Sequence, residues 1–196
     1  MHSLWTSSSV QQWREALGRY EDVIEAQGVA RLPDLDRWYR TELPVLVRAR
    51  RPAHATLKEL VRLTEWKMAR GVWRAPNLVL VRANAPDVVV STSAAALAAM
   101  PHATGPISTL AKLGGVGPAT SSALAAAVAP DVYPFFDELV AAQLPALGKV
   151  AWTLGYYARY ADAIRVRASA LGTAWNPALV ERALWAHVGG KQGAAA

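Results

Sequence analysis

Apolar residues recur along most of this 196-residue chain at the three- and four-residue spacing of an amphipathic helix. The first such segment carries Trp13, Leu17 and Ile24 on one face, with polar residues between them. Serines at positions 7–9 can cap this segment, and Gly28 suits its end. The pattern therefore predicts one helix that runs from just after the serines to Gly28.

Further helix starts are marked by proline or by a capping threonine. These start signals are Pro33, Thr56, Pro76 and Pro86. Pro44 should interrupt the helix that begins at Pro33, and Gly71 should end the one that begins after Thr56. The remaining predicted helical segments are a pair joined by a hairpin over residues 106–129, a short helix at 136–143, a long helix at 149–171 and a last helix at 176–188.

Two short apolar runs, VLV at 79–81 and VVV at 88–90, have the composition of buried strands. We reject strands there because both runs follow a proline start signal and the second leads into an alanine-rich stretch. The chain is therefore expected to be all-α, with residues 1–188 forming one compact helical domain. The small residues of 189–196, GGKQGAAA, predict a disordered tail.

Composition narrows the classes of partner and site. The net charge is +6 and the isoelectric point about 9.9, which favours a polyanionic partner only weakly. The chain has no cysteine, which excludes disulfides, a thiolate nucleophile and cysteine-ligated metal centres, and its four histidines show no metal-ligand spacing. We find no apolar run long enough for a membrane span and no signal-peptide pattern, so a soluble cytoplasmic protein that is not secreted is expected.

The segment LAKLGGVGPATS at residues 110–121 carries the most specific signal. Gly115 and Gly117 permit a tight turn with uncovered backbone amides, and Val116 between them can anchor the turn in the core. Pro118 suits the first position of the next helix. Free amides together with the positive end of that helix form an anion site that fits a DNA phosphate.

This segment resembles the hairpin of the helix-hairpin-helix DNA glycosylases, the superfamily of the endonuclease III-like and adenine-specific enzymes. The usual form is Leu-Pro-Gly-Val-Gly, two variable residues and Thr-Ala; here Gly114 replaces the proline and Ser121 the alanine. The strong match covers about thirty residues. The resemblance implies a two-lobed helical bundle, with the hairpin lobe at about 55–145 and the N-terminal helices packed with 149–188 in the other lobe.

The same resemblance implies a catalytic aspartate about twenty residues after the second glycine. The sequence VYPFFDE at 132–138 places Asp137 at that position, and Glu138 follows where the family usually has no second acid. The Phe-Phe-Asp-Glu context resembles a divergent, poorly characterised branch of the superfamily. A carboxylate there would stabilise the positive charge that develops on deoxyribose as the N-glycosidic bond breaks. Which of the two acids is the essential one stays open.

Other residues are assigned roles by the same comparison. Members that also cleave the strand carry a lysine two residues after the second glycine, where this chain has Ala119, so a monofunctional enzyme is expected. The predicted DNA contacts are Gly115, Val116, Gly117, Ala119, Thr120, Lys112, Lys67, Arg70 and Arg74. A rotated base requires a pocket with aromatic walls, for which the candidates are Trp66, Tyr133, Phe135 and Phe136.

The sequence therefore favours a protein that binds double-stranded DNA and acts as a monofunctional DNA N-glycosylase in base excision repair. One alternative is a DNA-binding protein with the same fold and no catalysis. A second is a helical protein-interaction domain. We infer no metal, no organic cofactor, no membrane association and no obligate protein partner.

Overall fold

The computed structural model describes residues 3–194, and that part of the chain is helical with no strand. Two short 3₁₀ turns, Leu4–Thr6 and Pro145–Leu147, accompany the α-helices. The α-helices are α1 (Val10–Gly18), α2 (Tyr20–Ala26), α3 (Leu32–Arg37), α4 (Leu43–Ala49), α5 (Leu57–Arg70), α6 (Ala75–Arg82), α7 (Pro86–Ala98), α8 (Gly105–Leu110), α9 (Pro118–Val128), α10 (Glu138–Ala141), α11 (Leu154–Leu171), α12 (Pro177–His187) and α13 (Gly190–Ala194). The all-α prediction is confirmed.

Helix α5 is the central helix around which the site is built. Its start is fixed by a capping box: the Thr56 hydroxyl accepts from the Glu59 amide at 3.3 Å, and Glu59 accepts from the Thr56 amide at 2.8 Å. Leu60 and Leu63 lie on its buried face, and the helix packs against α3, α6 and α9. It ends at Gly71, as the sequence predicts.

The N-terminal helices differ from the prediction in two places. The single helix expected to reach Gly28 is two helices, α1 and α2, which are separated at Arg19. The helix that begins near Pro33 continues into a π-helical turn, Trp38–Glu42, before α4. Pro44 lacks an amide hydrogen, so α-helical bonding cannot run unbroken through it, and the residues before it adopt a wider turn.

Local capping also moves the start of two later helices. The long helix predicted from residue 149 begins at Leu154, because the Thr153 hydroxyl accepts from the Tyr156 amide at 3.2 Å. The helix predicted at 136–143 is the single turn of α10, which Asp137 caps. Helix α12 begins after its predicted cap, Asn176.

The predicted disordered tail is wrong for residues 190–194, which form α13, while residues 195 and 196 lie outside the described part of the chain. Gln27 holds this helix: its amide nitrogen donates to the Gly189 carbonyl, and its amide oxygen accepts from the Gln192 amide, both at 3.1 Å. The composition of the tail does not reveal a partner 165 residues earlier.

The two ends of the described chain pack together, since α1 and α2 contact α12, which also contacts α11. On the other side, α9 packs against α4, α5 and α8, and α8 packs against α7. No helix within residues 3–194 combines the length and apolar character needed to cross a bilayer. The two-lobed, DNA-glycosylase-like arrangement stays a prediction.

Candidate functional site

The glycine hairpin, residues 110–120, joins α8 to α9 and is attached to the core by its apolar residues. Leu110, Leu113 and Val116 are buried, and the Val116 amide donates to the Leu113 carbonyl at 3.1 Å. Gly117, in contrast, is exposed. The apolar residues therefore hold the turn while its glycine backbone stays at the surface.

The two glycines of the predicted motif differ in backbone conformation and in what surrounds them. Gly115 has a φ of +73°, and a Cβ atom there would lie 2.5 Å from the Asn77 carbonyl oxygen, so only glycine fits. Gly117 has extended backbone with a φ of −106°, and a Cβ atom there would meet no atom within 4 Å. Gly115 is thus required by packing against α6, whereas Gly117 leaves an open surface.

Asn84, which the sequence analysis missed, fixes the hairpin to the end of α6. Its amide nitrogen donates to the Gly114 carbonyl at 3.0 Å and to the Val81 carbonyl at 2.8 Å, and its oxygen accepts from the Gly114 amide at 2.8 Å. The partners are 30 residues apart, so no local pattern indicates this contact.

The backbone amides of the hairpin and of the start of α9 are free, as the predicted anion site requires. No side chain caps this helix end, and within the described residues no hydrogen-bond acceptor lies against the amides of Gly115, Gly117, Ala119 and Thr120. Pro118 has no amide hydrogen to satisfy. The free amides and the helix dipole therefore present partial positive charge to the surface of the hairpin.

Two adjoining cavities connect this hairpin to the acidic segment. The hairpin cavity, about 560 Å³ of empty space including its opening, is lined by Gly115, Gly117 and Thr120. The acidic cavity, about 570 Å³ by the same measure, is lined by Asp137 and Glu138. The residues that line both cavities are Lys67, Arg74, Ala119 and Trp152.

Asp137 lies in the wall of the acidic cavity with its two oxygens in different roles. Oδ1 accepts from the amides of Leu139 at 2.8 Å and Val140 at 3.4 Å and so caps α10. Oδ2 lies 3.9 Å from Nε of Arg70, and among the described residues it accepts no hydrogen bond. One oxygen is fixed by the helix cap, and the other carries the contact to Arg70, so the residue is 7% exposed in the cavity wall.

Arg70 is buried with 1% exposure, so its side chain is not at the surface where the predicted DNA contact requires it. Its Nη2 lies 2.5 Å from Oε1 of Glu181 on α12, and its guanidinium lies 4.4 Å from the ring centre of Trp185. The sequence analysis interpreted a basic helix end as a surface feature, but the last turn of α5 directs this residue into the core. Arg70 supports Asp137 from behind instead.

Glu181 is the third member of this buried charge group. Burial raises its pKa to about 7, against the opposing effect of Arg70, while Asp137 contributes to the increase. Arg70 thus lies between two carboxylates, one in the core and one in the cavity wall. The Arg70 side chain therefore contacts both the core, at Glu181, and the wall of the acidic cavity, at Asp137.

The four aromatic candidates divide into two pairs. Phe135 and Phe136 line the acidic cavity, although little of either side chain is exposed. Trp66 and Tyr133 are not in its wall, contrary to the prediction. Trp66 is fully buried and stacks on Tyr39 with the ring centres 3.6 Å apart.

Tyr133 is also a core residue, and it donates through its hydroxyl to the His102 carbonyl at 2.8 Å. Trp152, which the sequence places in a helix with core aromatics, instead precedes α11 and is 44% exposed at the cavity mouth. Its ring centre lies 4.9 Å from that of Phe136. The helix start at Leu154 is what leaves Trp152 free to line the cleft.

Of the remaining predicted residues, some line the acidic cavity and one lies outside both cavities. Lys67 and Arg74 lie in the wall of the acidic cavity, and Glu138 is exposed at its rim. Lys112 is exposed and lies outside both cavities. Lys191 of α13, which the sequence analysis did not select, adds a third cation to the acidic cavity.

Comparison of the chain with known protein families, with curated proteins and with solved structures found no match.

Proposed function

We propose that this chain binds duplex DNA through the glycine hairpin and cleaves an N-glycosidic bond with Asp137. A nucleotide rotated out of the duplex would enter the acidic cavity, while a neighbouring phosphate rests on the free amides of Gly117 and Ala119.

The observation that carries the proposal is the continuity between hairpin and acid. The free amides border one cavity, Asp137 borders the next, and four residues line both. A phosphodiester and the sugar attached to it are covalently joined, so their binding groups must lie side by side. These two cavities meet that requirement.

The charges around the cleft support a polyanionic ligand. Lys67 and Arg74 line both cavities, and Lys191 lines the acidic one. Phosphate contacts of this kind position a duplex without reading its sequence. The whole chain carries a net charge of +6, which has the sign that duplex DNA attracts.

The position of Asp137 suits glycosidic cleavage. As the base leaves, positive charge develops on the deoxyribose, and a carboxylate facing the anomeric carbon stabilises it. Oδ1 is fixed by the start of α10, so the side chain is oriented before any ligand arrives. The carboxylate can then stabilise the charge on the sugar or deprotonate the attacking water.

A second candidate function is DNA binding without catalysis. It is favoured by the capping bonds of Asp137, since an aspartate needed only to start α10 would make the same two contacts. Under this alternative the hairpin binds DNA and the carboxylate has a structural role alone.

Asp137→Asn distinguishes the two functions, because asparagine caps a helix as well as aspartate but carries no charge. A panel of duplexes with different damaged bases should reveal base release by the wild-type protein. We expect Asp137→Asn to abolish release, by at least about 100-fold, and to retain duplex binding.

Glu138→Gln is the matched control and should release base at close to the wild-type rate. Loss of base release in Glu138→Gln together with full activity in Asp137→Asn would show that Glu138, and not Asp137, is the essential carboxylate. Binding with no release from any duplex would favour the second function, and failure to bind duplex would contradict both.

A further inference from the structure

Lys67 is a cavity residue whose role the glycosylase proposal leaves open. It lies on α5, three residues before Arg70, and lines both the hairpin cavity and the acidic cavity. None of the ion pairs among the described residues involves it. Its amine therefore borders the space where the sugar is expected, without an acidic partner of its own.

The surroundings of this amine favour its neutral form. Burial lowers the pKa of Lys67, Arg74 lowers it further, and Asp137 acts in the opposite direction. A lysine with a lowered pKa carries a larger fraction of free amine at neutral pH, and free amine is the form that attacks carbonyl carbon.

The product of the proposed reaction supplies a carbonyl in the same place. Hydrolysis of an N-glycosidic bond leaves a deoxyribose whose ring opens to an aldehyde at C1′. We infer that Lys67 on α5 takes the role of the lysine that Ala119 replaces in the hairpin: it forms an imine with the aldehyde of an abasic deoxyribose. The protein thereby cleaves the strand on the 3′ side of that sugar, contrary to the monofunctional enzyme that the sequence predicts. This inference rests on the proposed function, because it requires DNA in the cleft.

The chemistry balances without a further reactant. The Nζ lone pair of Lys67 attacks C1′, and the adduct loses one water molecule to give the imine. Asp137, which lines the same cavity, removes a proton from C2′. The electron pair forms a carbon–carbon double bond, and the C3′–oxygen bond breaks to release the phosphate. One water then hydrolyses the imine and restores the amine.

Reduction with sodium borohydride tests the inference, because it converts the imine into a stable bond between protein and DNA. The probe is a duplex with one abasic site. Wild-type protein should form a covalent adduct that peptide mass spectrometry assigns to Lys67. Lys67→Arg retains the positive charge but cannot form an imine, so its adduct yield should fall to background.

The matched control is Lys58→Arg, which changes a lysine nine positions away on α5 that is exposed and lies outside both cavities. This variant should form adduct at the wild-type yield. Circular dichroism checks that both variants are folded, and Lys67→Gln provides a second substitution at the site if arginine does not fit there.

Binding to a duplex with a tetrahydrofuran in place of the abasic sugar separates failure of this inference from failure of the proposed function. That analogue has no aldehyde and reports binding alone. Tight analogue binding without an adduct, an adduct that persists in Lys67→Arg, or an adduct mapped to another residue would overturn the role of Lys67. If the analogue does not bind, the proposed function fails, and this inference fails with it.

Discussion

Gly115 and Gly117 look equivalent in the sequence, but the structure gives them different roles. Gly115 is left-handed and packs against Asn77 and Leu80, whereas Gly117 faces open space. The motif pattern therefore identifies both positions but does not show which of them the fold requires to be glycine. That requirement depends on α6, which approaches the hairpin only in the folded chain.

The substitutions Gly115→Ala and Gly117→Ala should separate stability from binding. At Gly115 the methyl group meets backbone at 2.5 Å with a φ of +73°, so we expect a loss of about 1–3 kcal/mol in the free energy of unfolding. At Gly117 we expect a change within about 0.5 kcal/mol, because the site is open.

Although Gly117→Ala should hardly change stability, we expect it to weaken binding to duplex DNA. The added methyl group lies beside the free amides, and we expect a loss of about tenfold in affinity, or about 1.4 kcal/mol. Urea denaturation and fluorescence anisotropy measure the two quantities. Unchanged affinity in Gly117→Ala would show that no phosphate rests on this turn.

The acidic residues illustrate what spacing can predict at the scale of single side chains. The number of residues between the hairpin and Asp137 identifies Asp137 in the sequence, and in the structure this residue lines the acidic cavity. Arg70 and Trp66 were misplaced, because the direction in which a helical side chain points depends on where the helix packs. Trp152 was missed since its exposure follows from a cap at Thr153.

Among the elements, the helices with their own start signals were the most predictable. Helices α5, α9 and α12 begin where a cap or a proline predicts, because the information lies within four residues of the boundary. The break at Arg19 and the order of α13 were not predicted. Both depend on contacts between distant segments, such as the hydrogen bonds of Gln27.

The attachment of the hairpin to α6 gives a prediction at this scale. Asn84→Ala removes both hydrogen bonds to Gly114 and with them this attachment of the turn to the end of α6. We expect a loss of about 1–3 kcal/mol in the free energy of unfolding and faster hydrogen exchange at the hydrogen-bonded hairpin amides of Gly114 and Val116.

Hydrogen exchange monitored by mass spectrometry checks this result. Asn77→Ala is a suitable comparison, since Asn77 lies on α6, the helix that Asn84 follows, and the structure gives its side chain no hydrogen bond to Gly114. If the hairpin amides are equally protected in Asn84→Ala, the side chain does not hold the turn.

Across the whole molecule, the buried Arg70–Glu181 pair joins α5 to α12 and predicts a pH dependence of stability. The pKa of Glu181 is about 7 in the folded protein and 4.5 in the reference state. Between these values the folded state holds a proton that the unfolded state has lost. The stabilisation is therefore complete below about pH 4.5 and is lost as the pH rises through 7.

Glu181→Gln cannot titrate, so it serves as the reference in this test. On moving from pH 5 to pH 8, the Tm of the wild-type protein should fall relative to that of the variant. Thermal unfolding followed by circular dichroism at both pH values measures the difference. If the Tm of the wild-type protein differs from that of Glu181→Gln by the same amount at both pH values, the pKa of Glu181 is not raised in the folded protein.

The charge distribution of the molecule predicts a salt dependence of DNA binding. Removing one phosphate contact by Arg74→Gln should reduce the slope of log affinity against log salt by about 1 and weaken binding to all sequences alike. Arg14→Gln, on the exposed surface of α1 and outside the cleft, should leave the slope unchanged. Equal slopes in both variants would place the DNA elsewhere.

The all-helical class follows from the spacing of apolar residues together with the proline start signals, which decide the two short apolar runs at 79–81 and 88–90. The mutual position of hairpin and acid does not, because it depends on α5 packing against α9 and on the cap of α10. The cleft is thus a property of the assembled chain, and its residues come from five separate segments.

The central claim is that Asp137 faces a sugar whose phosphate is held by the hairpin. Two duplexes test it most directly, one with a neutral tetrahydrofuran and one with a cationic pyrrolidine at the same position, since the cation resembles the charge that develops on the sugar. We predict that the wild-type protein binds the cationic duplex about 100-fold more tightly and that Asp137→Asn binds both equally. Equal binding of both duplexes by the wild-type protein, or a preference that survives in Asp137→Asn, would contradict the account.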